Sequence, residues 1–201
     1  MADITKTVGT SVIALQSVSA STVLISSTVS TANKLAATFF VHFGRRSATA
    51  AGAGVNIRIE ASSKSSGEGH WYPVVILTTN FAACEAEAAT GTNSLGQNVI
   101  TCSSTSNLTA GDIIFIDNTT IGNSEWHRIK TISANTSITL EDNLVNAQSS
   151  GAATIYDSAE IYRPITIDLT SISRIRVVAD GASFTQAFAI EVDMITGDSI
   201  S

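Results

Sequence analysis

The stretch that decides the fold is residues 56–79, NIRIEASSKSSGEGHWYPVVILTT. In its first part, Ile57 and Ile59 alternate with polar residues, which is the period of two typical of a half-buried strand. Residues 62–69 are rich in Ser and Gly, which favour turns over strands. Residues 71–77 are then apolar and largely β-branched or aromatic, as in the interior of a sheet. The stretch therefore predicts a β-hairpin.

Trp71, Tyr72 and Pro73 begin the second strand of this hairpin, and they form the candidate contact site of the sequence. Proline has no backbone N–H, so the strand is expected to start at Pro73 or to lie at a sheet edge there. An aromatic pair at a strand edge can anchor a partner. A tryptophan that begins a strand beneath a long loop can equally close the end of a sandwich core. The sequence leaves both interpretations open.

The composition favours a β protein with a substantial core. Hydrophobic residues make up 44% of 201 residues, charged residues only 14%, and there are 27 serines and 25 threonines. Hydroxyl side chains suit exposed strand positions better than helix surfaces. A net charge of −6 argues against a nucleic-acid partner, which requires clustered basic residues. The basic pair Arg45 and Arg46 is expected at the solvated end of a strand.

Sheet signals extend along the whole chain. Residues 34–43 predict a central strand, because phenylalanines occupy both of its faces. Near the C-terminus, longer strands are predicted at residues 161–169, 173–178 and 186–195. In the middle of the chain, shorter strands are predicted at residues 97–102, 112–117, 126–132, 137–140 and 153–156. The Ala/Glu-rich residues 81–90 are expected to form a short helix or a linker.

These signals predict an all-β fold, an antiparallel β-sandwich of the jelly-roll or immunoglobulin-like kind with an inserted small SH3-like β-barrel. The sandwich is expected from residues 1–86 and 157–201, and the barrel from residues 87–156. The last 45 residues supply only three strands, too few to bury a sheet face unaided. No apolar run reaches the roughly 18 residues of a membrane span, and the N-terminus has no signal-peptide pattern, so we expect a cytoplasmic product without a membrane partner.

No combination of residues predicts catalysis, a metal site or a cofactor. His42 and His127 are expected to be ordinary sheet side chains, with His127 on the outward face of a barrel strand. His70 lies in a loop near Glu68 but lacks the third polar group that an acid–base site needs. The two cysteines match no zinc-ligand spacing, and we expect buried free thiols. We therefore predict a protein that is not an enzyme.

Three segments resemble parts of known virion proteins. Residues 57–62, IRIEAS, followed by a Gly/Ser loop and WYPV, resemble a hairpin common in β-sandwich proteins of tailed-bacteriophage virions. The segments ITIDLTSISRIRVVADG and AFAIEVDMI resemble the closing strands of those sandwiches. NVITCSSTSNLTAGDIIFID and EWHRIKTISANTSITLED are similar to a small barrel repeated in phage head and tail proteins.

The resemblance implies a non-enzymatic virion structural protein, best matched by a capsid decoration (cement) protein. Such a protein is made in the host cytoplasm, and it binds and stabilises the major capsid protein lattice on the outer capsid surface as a homo-oligomer, a dimer or trimer. A tail or tail-fibre component is one alternative. Another is a carbohydrate-binding β-sandwich module, which would need Trp71 and Tyr72 exposed and coplanar.

Overall fold

The structure, a computed structural model, describes residues 6–46, 55–67, 70–79, 84–157, 159–181 and 187–198. This part of the chain is built from β-strands and one short 3₁₀ turn, Ile121–Asn123, and has no α-helix. The fold is therefore all-β, as predicted. The strands are β1 Lys6–Val18, β2 Val23–Ile25, β3 Val29–Ser30, β4 Lys34–Arg45, β5 Asn56–Ser62, β6 Tyr72–Thr78, β7 Ala86–Ala88, β8 Thr92–Asn93, β9 Val99–Thr101, β10 Ile113–Asn118, β11 Glu125–Ser133, β12 Ser137–Leu140, β13 Gln148–Ser149, β14 Ala153–Tyr156, β15 Ala159–Asp168, β16 Arg174–Asp180 and β17 Phe188–Asp198.

The first sheet of the sandwich is antiparallel, with the strand order β1-β17-β4-β15. Its interior strand β4 contains the segment predicted to be central. Phe39, Val41 and Phe43 point inward from β4 and are fully buried, whereas Phe40 is half-buried on the opposite face. This alternation places one face of the sheet in the core and leaves the other face to be covered separately.

The second sheet has the order β2-β16-β5-β6, with β3 also paired to β16. The hairpin predicted from residues 56–79 is confirmed, because β5 and β6 pair from Asn56 with Thr78 to Ala61 with Tyr72. A bulge interrupts their register between Ile59 and Glu60. Strand β6 lies at the edge of the sheet, as its proline indicated.

The two sheets face each other across one hydrophobic core. Ile57 and Ile59 of β5 and Val177 of β16 pack in the same cluster as Phe39 and Phe43 of β4. Strands from both ends of the chain contribute, because β15, β16 and β17 pair only with strands that precede residue 79. The result is the predicted antiparallel β-sandwich.

The middle of the chain forms a curled six-stranded sheet with the order β7-β14-β10-β11-β12-β9. A bridge between Ala89 and Cys102 connects its two outer strands, so the sheet closes in the manner of a small barrel. The short strands β8 and β13 pair separately. A second hydrophobic core fills the interior, with Ile100, Ile114 and Ile129 among its fully buried members. The domain boundaries at residues 86 and 157 stay a prediction.

Several local predictions were wrong. Within residues 81–90 the structure has a strand at Ala86–Ala88 rather than a helix, because pairing with β14 overrides helix propensity; residues 80–83 lie outside the described part. Arg45 is fully buried rather than solvated. His127 is buried on the barrel side of β11.

Candidate contact surface

The outer face of the second sheet carries a chain of ion pairs. Arg58 Nη1 lies 3.0 Å from Asp180 Oδ2, and Arg58 Nε lies 3.2 Å from Glu60 Oε1. On the next strand, Arg176 donates to Glu60 Oε2 from Nε and from Nη2, both at 2.8 Å. The hydrogen bond to Asp180 contributes most to raising the pKa of Arg58 above its ordinary value, and it outweighs the opposing effect of burial. These charges therefore neutralise one another within the face.

Trp71 lies against this chain of ion pairs. The guanidinium carbon of Arg176 is 4.3 Å from the centre of the Trp71 ring, and that of Arg174 is 5.0 Å away. Arg174 also donates to the carbonyl oxygens of Lys64, at 2.7 Å, and Gly67, at 2.8 Å. Arg174 thereby ties the hairpin loop to β16, while both arginines hold the tryptophan ring by cation–π contacts.

The structure places Trp71 outside the sandwich core, and its role as an anchor for a partner stays a prediction. The side chain is half-buried and belongs to neither the sandwich core nor the residues packed against it. Its indole N–H is buried and has no hydrogen-bond partner among the described residues. Trp71 therefore serves to cover the ion pairs, and a sugar stacking on its ring would have to compete with two guanidinium groups.

The neighbouring edge strand β6 exposes apolar side chains. Tyr72 is 63% exposed, Val74 45% and Ile76 57%, and Pro73 is also exposed. The strand sequence YPVVILT contains no charged residue. Edge strands of monomeric proteins are commonly protected by charged side chains, and exposed apolar patches mark contact surfaces. Tyr72 and Pro73 thus lie on an exposed apolar surface, and the contact of residues 71–73 with a partner stays a prediction.

Sequence reasoning missed the residues that position Trp71. Arg174 and Arg176 follow it by about a hundred residues and reach it only because β16 pairs with β5. A signal was present, since both arginines alternate with the apolar Ile175 and Val177 and must share the outer face of one strand. What the sequence could not show was that this face lies beside the tryptophan.

A second set of contacts joins the barrel to the outer face of the first sheet. Arg46 binds Asp117 through two short contacts, Nε to Oδ2 at 2.9 Å and Nη2 to Oδ1 at 2.7 Å. Phe115 is fully buried yet belongs to neither hydrophobic core. Its ring lies 4.4 Å from that of Trp126, which in turn lies 5.9 Å from His42 of β4. The barrel is thus docked on the sandwich by an ion pair and a row of aromatic rings.

Beside this junction, Glu125 organises a buried polar network in the barrel. Its carboxylate accepts hydrogen bonds from His127 at 2.7 Å, the backbone N–H groups of Val145 and Asn146 at 2.9 and 2.6 Å, and Gln148 at 3.2 Å. Burial alone would raise the pKa of Glu125, but the bonds from His127 and the two backbone groups hold it below its usual value. His127 is therefore a structural partner of this carboxylate.

His42 and His127 each contact a carboxylate. His42 Nδ1 lies 3.3 Å from Glu191 Oε2, and His127 is bound to Glu125. His70 is exposed, and Glu68, the carboxylate near it in the sequence, lies outside the described residues. Within the described ranges, no three His, Cys, Asp or Glu side chains come close enough together to bind a metal ion. No helix in the same ranges is long and apolar enough to cross a bilayer.

Comparison with known proteins found no matching family model and no matching curated protein. Among solved structures, the tailspike protein gp49 from Pseudomonas phage LKA1 is 23% identical over 37% of this chain, with a TM-score of 0.30. The match spans 15% of the tailspike's length. The SPBc2 prophage-derived protein YomS is 8% identical, with 98% of this chain and 97% of that chain covered and a TM-score of 0.34. Both are phage or prophage proteins, but scores this low do not define a shared fold.

Proposed function

We propose that this chain is a non-enzymatic structural protein of a tailed-phage virion, a capsid decoration protein that binds and stabilises the major capsid protein lattice from outside. The observation that carries the proposal is the exposed apolar strand β6, with Tyr72 63% and Ile76 57% exposed and no charged residue along it. A surface of this kind indicates a protein that works in an assembly.

The rest of the architecture supports a binding role over a catalytic one. The ion pairs beside β6 neutralise each other, so the contact at Tyr72 would be aromatic and apolar. His42 and His127 are bound to carboxylates in the junction and in the barrel, where they stabilise the structure. The sequence resemblance to virion sandwiches and barrels points in the same direction. Tyr72 is proposed as the anchor of the lattice contact, because exposed aromatic residues are frequent interface hot spots.

The direct test is binding of the purified chain to assembled shells of a tailed-phage major capsid protein and to complete tailed particles, imaged by electron microscopy with the same particles alone as reference. Extra density at lattice symmetry positions supports decoration. Density confined to tails would replace the proposal with a tail component. Absence of density on both shells and tails would overturn a virion role in the particles tested and return attention to glycan binding.

Two matched truncations locate the contact. We expect Tyr72→Ala to weaken shell binding by about 10-fold or more, as at an interface hot spot. Leu95→Ala removes a large side chain that is 68% exposed on the barrel, and it should leave the affinity unchanged. If Leu95→Ala weakens binding and Tyr72→Ala does not, the barrel makes the contact and the assignment of Tyr72 is wrong.

A further inference from the structure

We infer that β6 pairs with β6 of a second copy of this chain about a two-fold axis at Ile76, continuing the second sheet from one protomer into the next. The inference specifies an interface for the proposed homo-oligomer, and it does not depend on lattice binding. It rests on the backbone directions of β6, on the side chains that this strand exposes and on the charges around it.

The backbone of β6 offers unused hydrogen-bonding groups. Thr79 N–H donates to the Val55 carbonyl at 3.2 Å, so the backbone groups of Thr79 point toward β5. This contact fixes the direction in which the N–H and C=O groups of the preceding residues point. Because directions alternate along a strand, Leu77 and Val75 also turn toward β5, whereas Ile76 and Thr78 turn their N–H and C=O groups away from it. No strand lies beyond β6 in the described part of the chain. An additional antiparallel strand would satisfy these groups.

A second β6 fits this edge better than a charged partner strand would. Two-fold pairing brings the residue on the axis opposite itself, so a charge at that position would meet a like charge. The strand has none, and its nearest outward neighbour, Arg58, is bound to Glu60 and Asp180. The chain as a whole carries −6 charges, so a neutral apolar edge is the kind of surface on which two copies can meet without repulsion.

Proline limits the length of the pairing and thereby its register. Pro73 has no N–H to donate, so the ladder is confined to residues 74–78. With the axis at Ile76, this residue exchanges two hydrogen bonds with its symmetry equivalent, and Val74 lies opposite Thr78 of the second copy. The two exposed Ile76 side chains then cover one another across the axis, and each Val74 lies against Thr78 of the second copy. Tyr72 lies outside the paired residues and stays available for another contact.

The first test is the solution mass of the full-length chain, measured by analytical ultracentrifugation. We expect a dimer of about 42 kDa, twice 20.9 kDa, at micromolar concentrations. Ile76→Lys should convert it to a monomer, because two ammonium groups would face each other across the axis. Ile25→Lys is the matched control, since Ile25 is 52% exposed on β2 at the opposite edge of the same sheet, and it should leave the dimer intact.

Cysteine cross-linking tests the register. Residues that exchange hydrogen bonds across an antiparallel pair have Cα atoms about 5.5 Å apart, which suits a disulfide. Ile76→Cys should therefore cross-link to itself under mild oxidation, while Thr78→Cys should not, because its partner is residue 74. A monomeric or trimeric wild type, a dimer that survives Ile76→Lys, or cross-linking at 78 instead of 76 would overturn the inference. A wild type that is dimeric but does not bind shells would count against the lattice role alone.

Discussion

Replacing Glu125 by glutamine tests whether the buried carboxylate stabilises the barrel. The two oxygens of Glu125 accept four hydrogen bonds, from His127, Val145, Asn146 and Gln148. A glutamine amide keeps the shape but turns one oxygen into an NH₂ group, which faces two donors. The NH₂ group cannot accept these two hydrogen bonds, which come from one part-buried backbone N–H and one buried side chain.

The expected loss follows from those two donors. A buried donor that loses its acceptor destabilises the folded state by about 1 to 3 kcal/mol. Since the amide can orient to keep the better pair of bonds, we expect Glu125→Gln to lower the free energy of unfolding by about 2 to 4 kcal/mol. Glu141→Gln is the control, because Glu141 is half-exposed and its contact with Arg128 is long, at 3.7 Å. An exposed ion pair of this kind contributes little to stability.

Urea denaturation followed by tryptophan fluorescence measures this loss. The measurement is made in a Trp71→Phe background, so that Trp126, next to Glu125 in the sequence, reports on the barrel alone. The pKa of Glu125 is depressed in the folded state. Its contribution should therefore be fully present above the unfolded pKa, about 4.3, and decline as pH falls through the lower folded value. The wild type and Glu125→Gln should consequently converge in stability at acidic pH. Equal stability at pH 7, or a difference that grows on acidification, would refute the reasoning.

Three further experiments test the junction between the barrel and the sandwich and the covering role of Trp71. Arg46→Ala and Asp117→Ala should show a coupling energy of about 1 to 2 kcal/mol in a double-mutant cycle of unfolding, because their contact is double and partly buried; additive losses would contradict the ion pair. Phe115→Ala should lower the free energy of unfolding by about 3 to 5 kcal/mol, and a loss below about 1 kcal/mol would mean that the barrel is only tethered. Trp71→Ala should destabilise the chain by about 1 kcal/mol more than Trp71→Phe through weakened cation–π contacts with Arg176, and similar thermal midpoints for the two variants would remove that role.

Local patterns were sufficient to predict most of the strands. Residues 137–140 and 153–156 were predicted with the bounds that the structure shows, and the hairpin of β5 and β6 follows from alternation and turn residues. These features depend on contacts within one strand or between neighbours in sequence. The period of two reports which side chains share a face, and Gly, Ser and Pro report where the chain turns.

Alternation does not reveal what covers each face, and only the tertiary structure decided that. His127 was assigned to the outside because the neighbouring residues alternate, yet it is buried beside a carboxylate. Phe115 lies on a barrel strand and is fully buried, yet it packs in the junction between the barrel and the sandwich and not in the barrel core.

For the candidate contact surface too, the sequence determined some features and the tertiary structure decided the others. The sequence by itself determined the all-β class, the hairpin and the aromatic pair at its edge, because these depend on residue type and near neighbours. The tertiary structure decided that Trp71 is held by Arg174 and Arg176 while Tyr72 stays exposed. The physical reason is that pairing between β5 and β16 brings together residues about a hundred positions apart, and no local pattern specifies which distant strand becomes a neighbour.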